Sequence, residues 1–373
     1  MEGESDYIDI PSSKLSIASN DGKKINDNGE VIMPNGTKTD LFRVGIVGTG
    51  GIARAHGSAC QEAASAELCA ICDVSEEALN RYGEAFEVSN RYLDLDEMLE
   101  KENLDIVSIC TWGAYHAQNG IQIANSGKVK AILCEKPFTL NAAEASQMVN
   151  AAAKNGVLIA EAFKFRHHPM HLKAKELVDS GAIGDVMNIR STFCTGGGGG
   201  GPETRKPENN WRFNKAKGGG SIYDLACYCI HHARFIFGTE PVQVFVAAQP
   251  GLEVDDGTYF LLVFPDNRIA QISTGFNAAG GQYAEISGTA GMLRLDKVWN
   301  NGNQPVTIES HTKDGYEVIH FEPTNQFALQ LQHLCDCLET GQPHRISPES
   351  CVDQMKVIDA AFESIATGKT VSL

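Results

Sequence analysis

Gly48-Thr49-Gly50-Gly51-Ile52-Ala53 follows the apolar run Phe42–Val47 and opens a helical stretch. Gly48 permits a tight turn, Gly50 lets the backbone approach a pyrophosphate, and Ala53 allows close helix–strand packing, with the helix N-terminus facing the phosphates. Asp73 lies 20 residues beyond Ala53, at the end of the next apolar run. An acidic residue there bonds ribose hydroxyls and repels a 2′-phosphate. Together these predict a bound dinucleotide, NAD in preference to NADP. A second feature, Cys134-Glu135-Lys136-Pro137-Phe138, ends the fourth such run. Carboxyl ends of parallel strands line the ligand crevice, so Lys136 is expected to point at the nicotinamide end. Lys-Pro also admits a cis peptide. By itself the pair equally suits a surface lysine before a helix-breaking proline.

The elements that must position these residues alternate from Leu41 onward. Strand-like runs at Phe42–Val47, Leu68–Cys72, Ile106–Cys110, Ala131–Cys134 and Val157–Ala160 are separated by helix-like stretches at Ala53–Ala64, Glu76–Phe86, Tyr115–Ser126 and Ala142–Asn155. This order predicts an α/β fold: a doubly wound Rossmann domain with a parallel sheet over residues 41–164. The order then breaks. A helix at Pro169–Ser180 precedes strands at Val186–Cys194, Val242–Ala248, Thr258–Phe264, Ile269–Phe276, Tyr283–Ser287 and Met292–Leu295, and helices at Gln326–Glu339 and Pro348–Ala366 close the chain. Residues 165–373 are therefore expected to form a C-terminal α+β domain with a mostly antiparallel, open sheet. Ser347 is expected to cap the last helix, with Pro348 in its first turn.

Residues 1–40 are polar, and Lys24–Val31 suits a small hairpin around Asn28-Gly29. They read as a disordered tail or as an arm packed on a neighbouring subunit.

At 373 residues, 42% hydrophobic and 21% charged, the chain can bury sizeable cores. Its net charge of −16 repels nucleic acid and anionic lipid, and no basic patch compensates. The longest apolar stretch, Tyr259–Phe264, falls well short of a membrane span, and the acidic residues after Met1 are unlike a signal peptide. A cytoplasmic protein is expected. The 11 cysteines read as buried small hydrophobes. Cys227/Cys229 and Cys335/Cys337 have CxC spacing, which is not the CxxC of zinc sites, and no metal is expected. His167/His168 and His231/His232 are adjacent pairs, which point in different directions on a helix and make no chelate.

The GxGxxA turn, Thr111-x-x-x-x-His116, Glu135-Lys136-Pro137 and Gly218-Gly219-Gly220 followed by Asp224 together resemble the Gfo/Idh/MocA oxidoreductase family over residues 41–373. Glu161–Pro169, Trp211-Arg212-Phe213 and Asp224–Tyr228 are most similar to a subgroup with glucose-fructose oxidoreductase, dimeric dihydrodiol dehydrogenase and D-xylose dehydrogenases. Most of the family has histidine four residues after the aspartate; Tyr228 stands there in this chain, as in the subgroup.

The resemblance implies that Lys136, Tyr228 and Asp224 are catalytic, and that Gly48, Gly50, Gly51, Ile52, Asp73, Thr111, Trp112, His116, Glu135 and Lys136 contact the cofactor. Oxidising a secondary alcohol needs a base for the hydroxyl proton while hydride leaves for nicotinamide. A lysine ammonium beside a phenol favours the phenolate, so Lys136 would activate Tyr228, and Asp224 would hold the substrate or the lysine. Arg166, Trp211 and Arg212 are candidate substrate contacts, with Arg212 equally suited to a structural ion pair. Trp112-Gly113 replaces the family's usual Pro-Asn. Trp112 either stacks on cofactor or substrate or fills a gap, and Gly196–Gly201 is either a moving cover or a tolerated insertion.

The expected activity is NAD(P)-dependent hydride transfer to or from a ring hydroxyl of a sugar, glycoside or polyol, by a homo-oligomer (dimer or tetramer). A closed sugar–sugar redox cycle with retained cofactor, a sensor without turnover, and a dehydrogenase of aromatic diols are the alternatives.

Overall fold

The computed structural model describes residues 24–25, 31–32, 41–196 and 202–373. Strands β1 (Lys24–Ile25) and β2 (Val31–Ile32) pair antiparallel, as the hairpin reading requires. The turn between them, the rest of residues 1–40 and Gly197–Gly201 lie outside the described residues.

Leu41–Leu373 forms one compact unit with two sheets. The first holds β3 (Phe42–Val47), β4 (Ala66–Cys72), β5 (Asn90–Tyr92), β6 (Ile106–Ile109), β7 (Ala131–Cys134) and β8 (Leu158–Glu161), all parallel, in the order β5-β4-β3-β6-β7-β8. The strand order reverses beside β3, which creates a crevice at its carboxyl end. Its crossovers are α1 (Ala53–Glu62), α2 (Glu76–Ala85), α3 (Leu95–Lys101), α4 (His116–Ser126) and α5 (Ala142–Lys154). Strand β6 is fully buried, as expected where helices cover both faces. The sequence reading omitted β5 and α3, which at three and seven residues are too short to show a period. Asp94 nonetheless caps α3 by accepting the Glu97 N–H at 2.9 Å.

After α6 (Pro169–Asp179), strand β9 (Val186–Cys194) starts the second sheet, and α7 (Cys227–Phe237) crosses before the strands resume. They are β10 (Gln243–Pro250), β11 (Asp255–Val263), β12 (Ile269–Gly275), β13 (Gly281–Gly288), β14 (Gly291–Asp296), β15 (Val306–Thr312), β16 (Gly315–Phe321) and the short β17 (Val371–Ser372), with α8 (Gln326–Thr340) and α9 (Pro348–Thr367) before β17. The nine-stranded order is β16-β15-β14-β13-β9-β12-β11-β10-β17, antiparallel except for the β9–β12 pair. Ser347 Oγ accepts the Ser350 N–H and Pro348 sits in the first turn of α9.

Along β10 and β11, burial alternates residue by residue. The inward side chains Val244, Val246, Phe260 and Leu262 join the core, while Phe245, Tyr259 and Leu261 stand on the outer face. Phe245 lies opposite Leu261 in register. Phe163, Phe165, Phe193, Tyr228 and Trp299 form an aromatic cluster that carries one core from the parallel sheet to the large one.

All 11 cysteines are unpaired, and all but Cys69 are buried. Among the described residues no helix is long and apolar enough to cross a membrane.

Candidate active site

The turn between β3 and α1 is shaped by its glycines. Gly48 has φ 87°, and a Cβ there would stand 2.8 Å from Thr111 N and 2.9 Å from the Cys110 carbonyl, so a side chain cannot fit between the two strand ends. At Gly50 and Gly51 a Cβ would meet nothing within 4 Å. No side chain caps α1, and the Ala55 N–H donates to the Ile52 carbonyl at 3.0 Å. Asp73 Oδ2 accepts the Thr49 N–H (2.6 Å) and hydroxyl (3.0 Å), and Oδ1 accepts the Ser75 N–H (2.8 Å). The turn borders a cavity of about 730 Å³ lined by Gly48, Gly50, Asp73, Thr111 and Trp112. These residues fit a dinucleotide: pyrophosphate at the α1 end, ribose at Asp73.

A second cavity, of about 370 Å³, shares Gly50, Thr111 and Trp112 with the first and adds Ile52, Glu135, Lys136 and Trp211. A third, of about 290 Å³, shares Ile52, Lys136, Arg212 and Asp224 with the second and reaches Tyr228, Lys164 and Asn300. The three make a continuous path from Asp73 to Tyr228.

Lys136 lies two residues beyond β7, joined to Pro137 by a cis peptide. Its Nζ donates to Asp224 Oδ1 at 2.8 Å and to the Asp224 carbonyl at 3.0 Å. Arg212 Nε donates to the other carboxylate oxygen at 2.8 Å. Asp224 belongs to a π-helical turn, Ile222–Ala226, that runs into α7 and carries Tyr228 one turn later. Such turns widen the helix and recur at functional sites. Burial alone would raise the Asp224 carboxyl, but Lys136 and Arg212 outweigh it and hold it below its ordinary value. Burial likewise opposes the Lys136 charge, and Asp224 overcomes it, so the ammonium persists above the usual lysine range.

Tyr228 is 4% exposed, and Lys136 Nζ sits 5.0 Å from its ring centroid. Burial raises the phenol pKa more than Lys136 lowers it. Lys136 does favour the phenolate, as the sequence predicts, while burial acts more strongly in the opposite sense.

Two family models match the chain: an oxidoreductase family with an NAD-binding Rossmann fold over residues 42–163, and a GFO/IDH/MocA C-terminal domain over residues 171–294. The chain belongs to the Gfo/Idh/MocA oxidoreductases. It is 28% identical over 334 residues to D-xylose 1-dehydrogenase (NADP(+)) 2 of Haloferax volcanii, covering 88% of this chain and 99% of that one. It is 29% identical over 263 residues to trans-1,2-dihydrobenzene-1,2-diol dehydrogenase of Mus musculus, covering 69% and 75%. The crystal structure of aldose-aldose oxidoreductase from Caulobacter crescentus, complexed with glycerol, superposes with a TM-score of 0.80 at 27% identity, covering 89% of this chain and all of that one.

Within this Gfo/Idh/MocA frame the predicted residues separate into three groups. Gly48, Gly50, Gly51, Ile52, Asp73, Thr111, Trp112, Glu135, Lys136, Trp211, Arg212, Asp224 and Tyr228 line the path. Trp112 is 41% exposed, with Lys217 Nζ 4.0 Å from its ring, so it forms part of the wall and does not fill a core gap. His116 is buried beneath the path. Its Nδ1 lies 2.8 Å from the Pro137 carbonyl and its Nε2 3.0 Å from the Thr111 carbonyl, so the one N–H of the neutral ring donates to one of the two, and it lines none of the three cavities. Arg166 turns elsewhere. Its guanidinium stacks 3.9 Å from the Phe235 ring, lies 2.9 Å from His231 Nε2 and donates to the Arg345 carbonyl, so it is a packing residue away from the cavities.

Sequence reasoning missed His56 and Lys164. His56 pairs with Glu135 at 2.8 Å, across 79 residues and without a local motif. Burial would raise Glu135, and His56 with the two lysines holds it below its ordinary value. Lys164 enters the third cavity directly after β8, where the rule that ligands sit at strand carboxyl ends does apply.

His167 meets His333 and His344, with one donor atom from each inside 4.8 Å. Both ring nitrogens of His333 face Arg345, whose N–H lies 3.3 Å from Nε2 and whose guanidinium lies 3.4 Å from Nδ1.

Proposed function

We propose that this chain is an NAD(P)-dependent dehydrogenase or ketoreductase acting on a ring CH–OH or ketone of a sugar, glycoside or polyol. Residues 41–164 hold the dinucleotide, and residues 165–373 present the substrate. A bound nicotinamide supplies the site that gives or takes hydride. The observation that carries the reading is Tyr228, whose hydroxyl has no hydrogen-bond partner among the described residues and lines the cavity next to a lysine ammonium. In reduction, Tyr228 donates its proton to the carbonyl oxygen. In oxidation its phenolate form receives the alcohol proton, the form that the Lys136 charge favours against burial. Asp224 holds Lys136 and Arg212 in place, and Trp211 offers an apolar face to the ring.

Asp73 favours NAD, because its carboxylate opposes a 2′-phosphate. The NADP-dependent Haloferax relative makes this a point for measurement. The outer face bearing Phe245, Tyr259 and Leu261 supports a homo-oligomer assembled through the large sheet, and the unpaired cysteines suit a reducing cytoplasm.

The test is reduced-nicotinamide formation against free sugars, glycosides and inositols with NAD and NADP in parallel. Turnover with a hydroxyl-bearing ring is the expected result. A second reading, a closed cycle in which two sugars exchange hydride through a retained cofactor, is favoured by the activity named for the Caulobacter relative. Stoichiometric dinucleotide in the purified protein would identify it.

A further inference from the structure

Lys164 is the one lysine of the substrate cavity that has no carboxylate partner. Its residue is 6% exposed, and its Nζ donates to the neutral Asn300 amide oxygen at 2.5 Å. It lies 5.6 Å from the Tyr228 ring centroid and 4.7 Å from that of Phe327. The carboxylates near it favour its charge from a distance but bond to other groups: Asp224 to Lys136 and Arg212, Glu135 to His56 and to the Lys136 N–H. Three side-chain cations, Lys136, Lys164 and Arg212, thus face two carboxylates, Asp224 and Glu135. A third carboxyl, Glu161, is pushed up to about 8 by burial, which favours its neutral form.

A buried ammonium that bonds to no carboxylate is costly, and proteins either neutralise it or pair it. Lys164 shows the strain: burial pulls its pKa down to about 8. The ammonium is also not sealed in, since it lines the cavity that Tyr228 lines. One negative charge entering there would bring cations and anions to parity. A compact carboxylate does that, whereas a phosphate dianion overshoots. The chain's overall charge of −16 acts weakly at this depth, because exposed charges are screened over about 8 Å in physiological salt.

We infer that the preferred substrate is a sugar acid, its carboxylate received by Lys164 and Asn300 while its reacting carbinol faces Tyr228. The inference rests on the proposed dehydrogenase activity and narrows it. Lys164 is then a specificity residue: it selects among polyols and leaves the proton transfer to Tyr228.

The experiment compares matched pairs on the same enzyme: uronates and aldonates of the glucose, galactose and mannose series against the neutral aldoses, with glucose 6-phosphate as the phosphate probe. kcat/KM is measured for the wild type, Lys164→Met and Lys164→Arg, and calorimetry follows binding of the same sugars to NAD-loaded protein. The expected result is a preference of at least tenfold for one acid over its neutral counterpart, kept in K164R and reduced to near parity in K164M. Equal or better use of the neutral sugars, better use of the phosphate, or an acid preference that survives K164M would overturn the inference and leave the dehydrogenase standing. Absence of turnover with every polyol would instead count against the dehydrogenase. Calorimetry then decides the inference alone: acid binding lost in K164M supports it, and no acid binding by the wild type overturns it.

Discussion

Replacing Asp224 by asparagine removes one negative charge and almost no volume. Both carboxylate oxygens are in use, 2.8 Å from Lys136 Nζ and 2.8 Å from Arg212 Nε, and the residue is 5% exposed. Unit charges at that distance attract by roughly 6 kcal/mol at an effective dielectric of 20. Desolvation offsets part of this, and breaking a buried pair by removing one partner costs about 3 to 5 kcal/mol. Asparagine keeps one acceptor, and Lys136 keeps the carbonyl of residue 224 at 3.0 Å, so the lower end applies, about 3 kcal/mol. At about 2 °C per kcal/mol for a unit of this size, the melting temperature should fall by about 6 °C.

The protonation of Lys136 is the sharper readout. Lys164 shows what burial does to an ammonium in this cavity without a carboxylate partner: its pKa drops to about 8. Lys136, now held above the ordinary lysine range by Asp224, should move down towards Lys164 in D224N. An ammonium is present below its pKa and lost above it. The kcat/KM of D224N for a neutral polyol should therefore fall as pH rises through the weakly alkaline range, where the wild type keeps its lysine charged. Scanning calorimetry and the pH profile test both claims. A D224N protein that melts within 1 °C of the wild type and has an unchanged alkaline limb would refute the argument that Asp224 fixes the charge of Lys136.

Three further outcomes are expected. Gly48→Ala forces a side chain onto a φ of 87° and to within 2.9 Å of the Cys110 carbonyl, so it should lose about 2 to 3 kcal/mol of stability in denaturant titration and weaken dinucleotide binding at least tenfold by fluorescence titration. Asp73→Ser removes the charge that opposes a 2′-phosphate and should raise the NADP to NAD ratio of kcat/KM at least tenfold in initial-rate assays. For a carboxylated substrate, KM should rise as pH increases through about 8, where Lys164 loses its proton, while KM for a neutral sugar stays flat over the same range.

Much of the site was legible because it depends on short, local signals. The glycine turn, the acidic end of β4 and the lysine just beyond β7 each occupy a position that the parallel-strand rule assigns to ligands. What escaped was tertiary. Nothing near Arg166 announces that its guanidinium stacks on Phe235 and faces His231, and nothing near His116 shows that it sits between two carbonyls. The strength of burial at Tyr228 was not legible either, because sequence supplies the neighbouring lysine but neither the extent of burial nor the bond of that lysine to Asp224. Strands β15 and β16 went unread, since Glu309, Ser310, Glu317 and His320 interrupt their apolar residues at the edge of a sheet. Strand β5 and helix α3 were too short for periodicity to detect.

The central claim is that Tyr228 moves the substrate proton. Tyr228→Phe deletes one oxygen in a cavity where that hydroxyl bonds to no other described side chain, so folding and dinucleotide affinity should be kept. Single-turnover hydride transfer in the cofactor-loaded enzyme, followed at the nicotinamide absorbance, is the direct measurement. The account expects a rate at least about 100-fold below wild type with cofactor affinity within about twofold. Wild-type transfer by Y228F would contradict it and move the proton to another group.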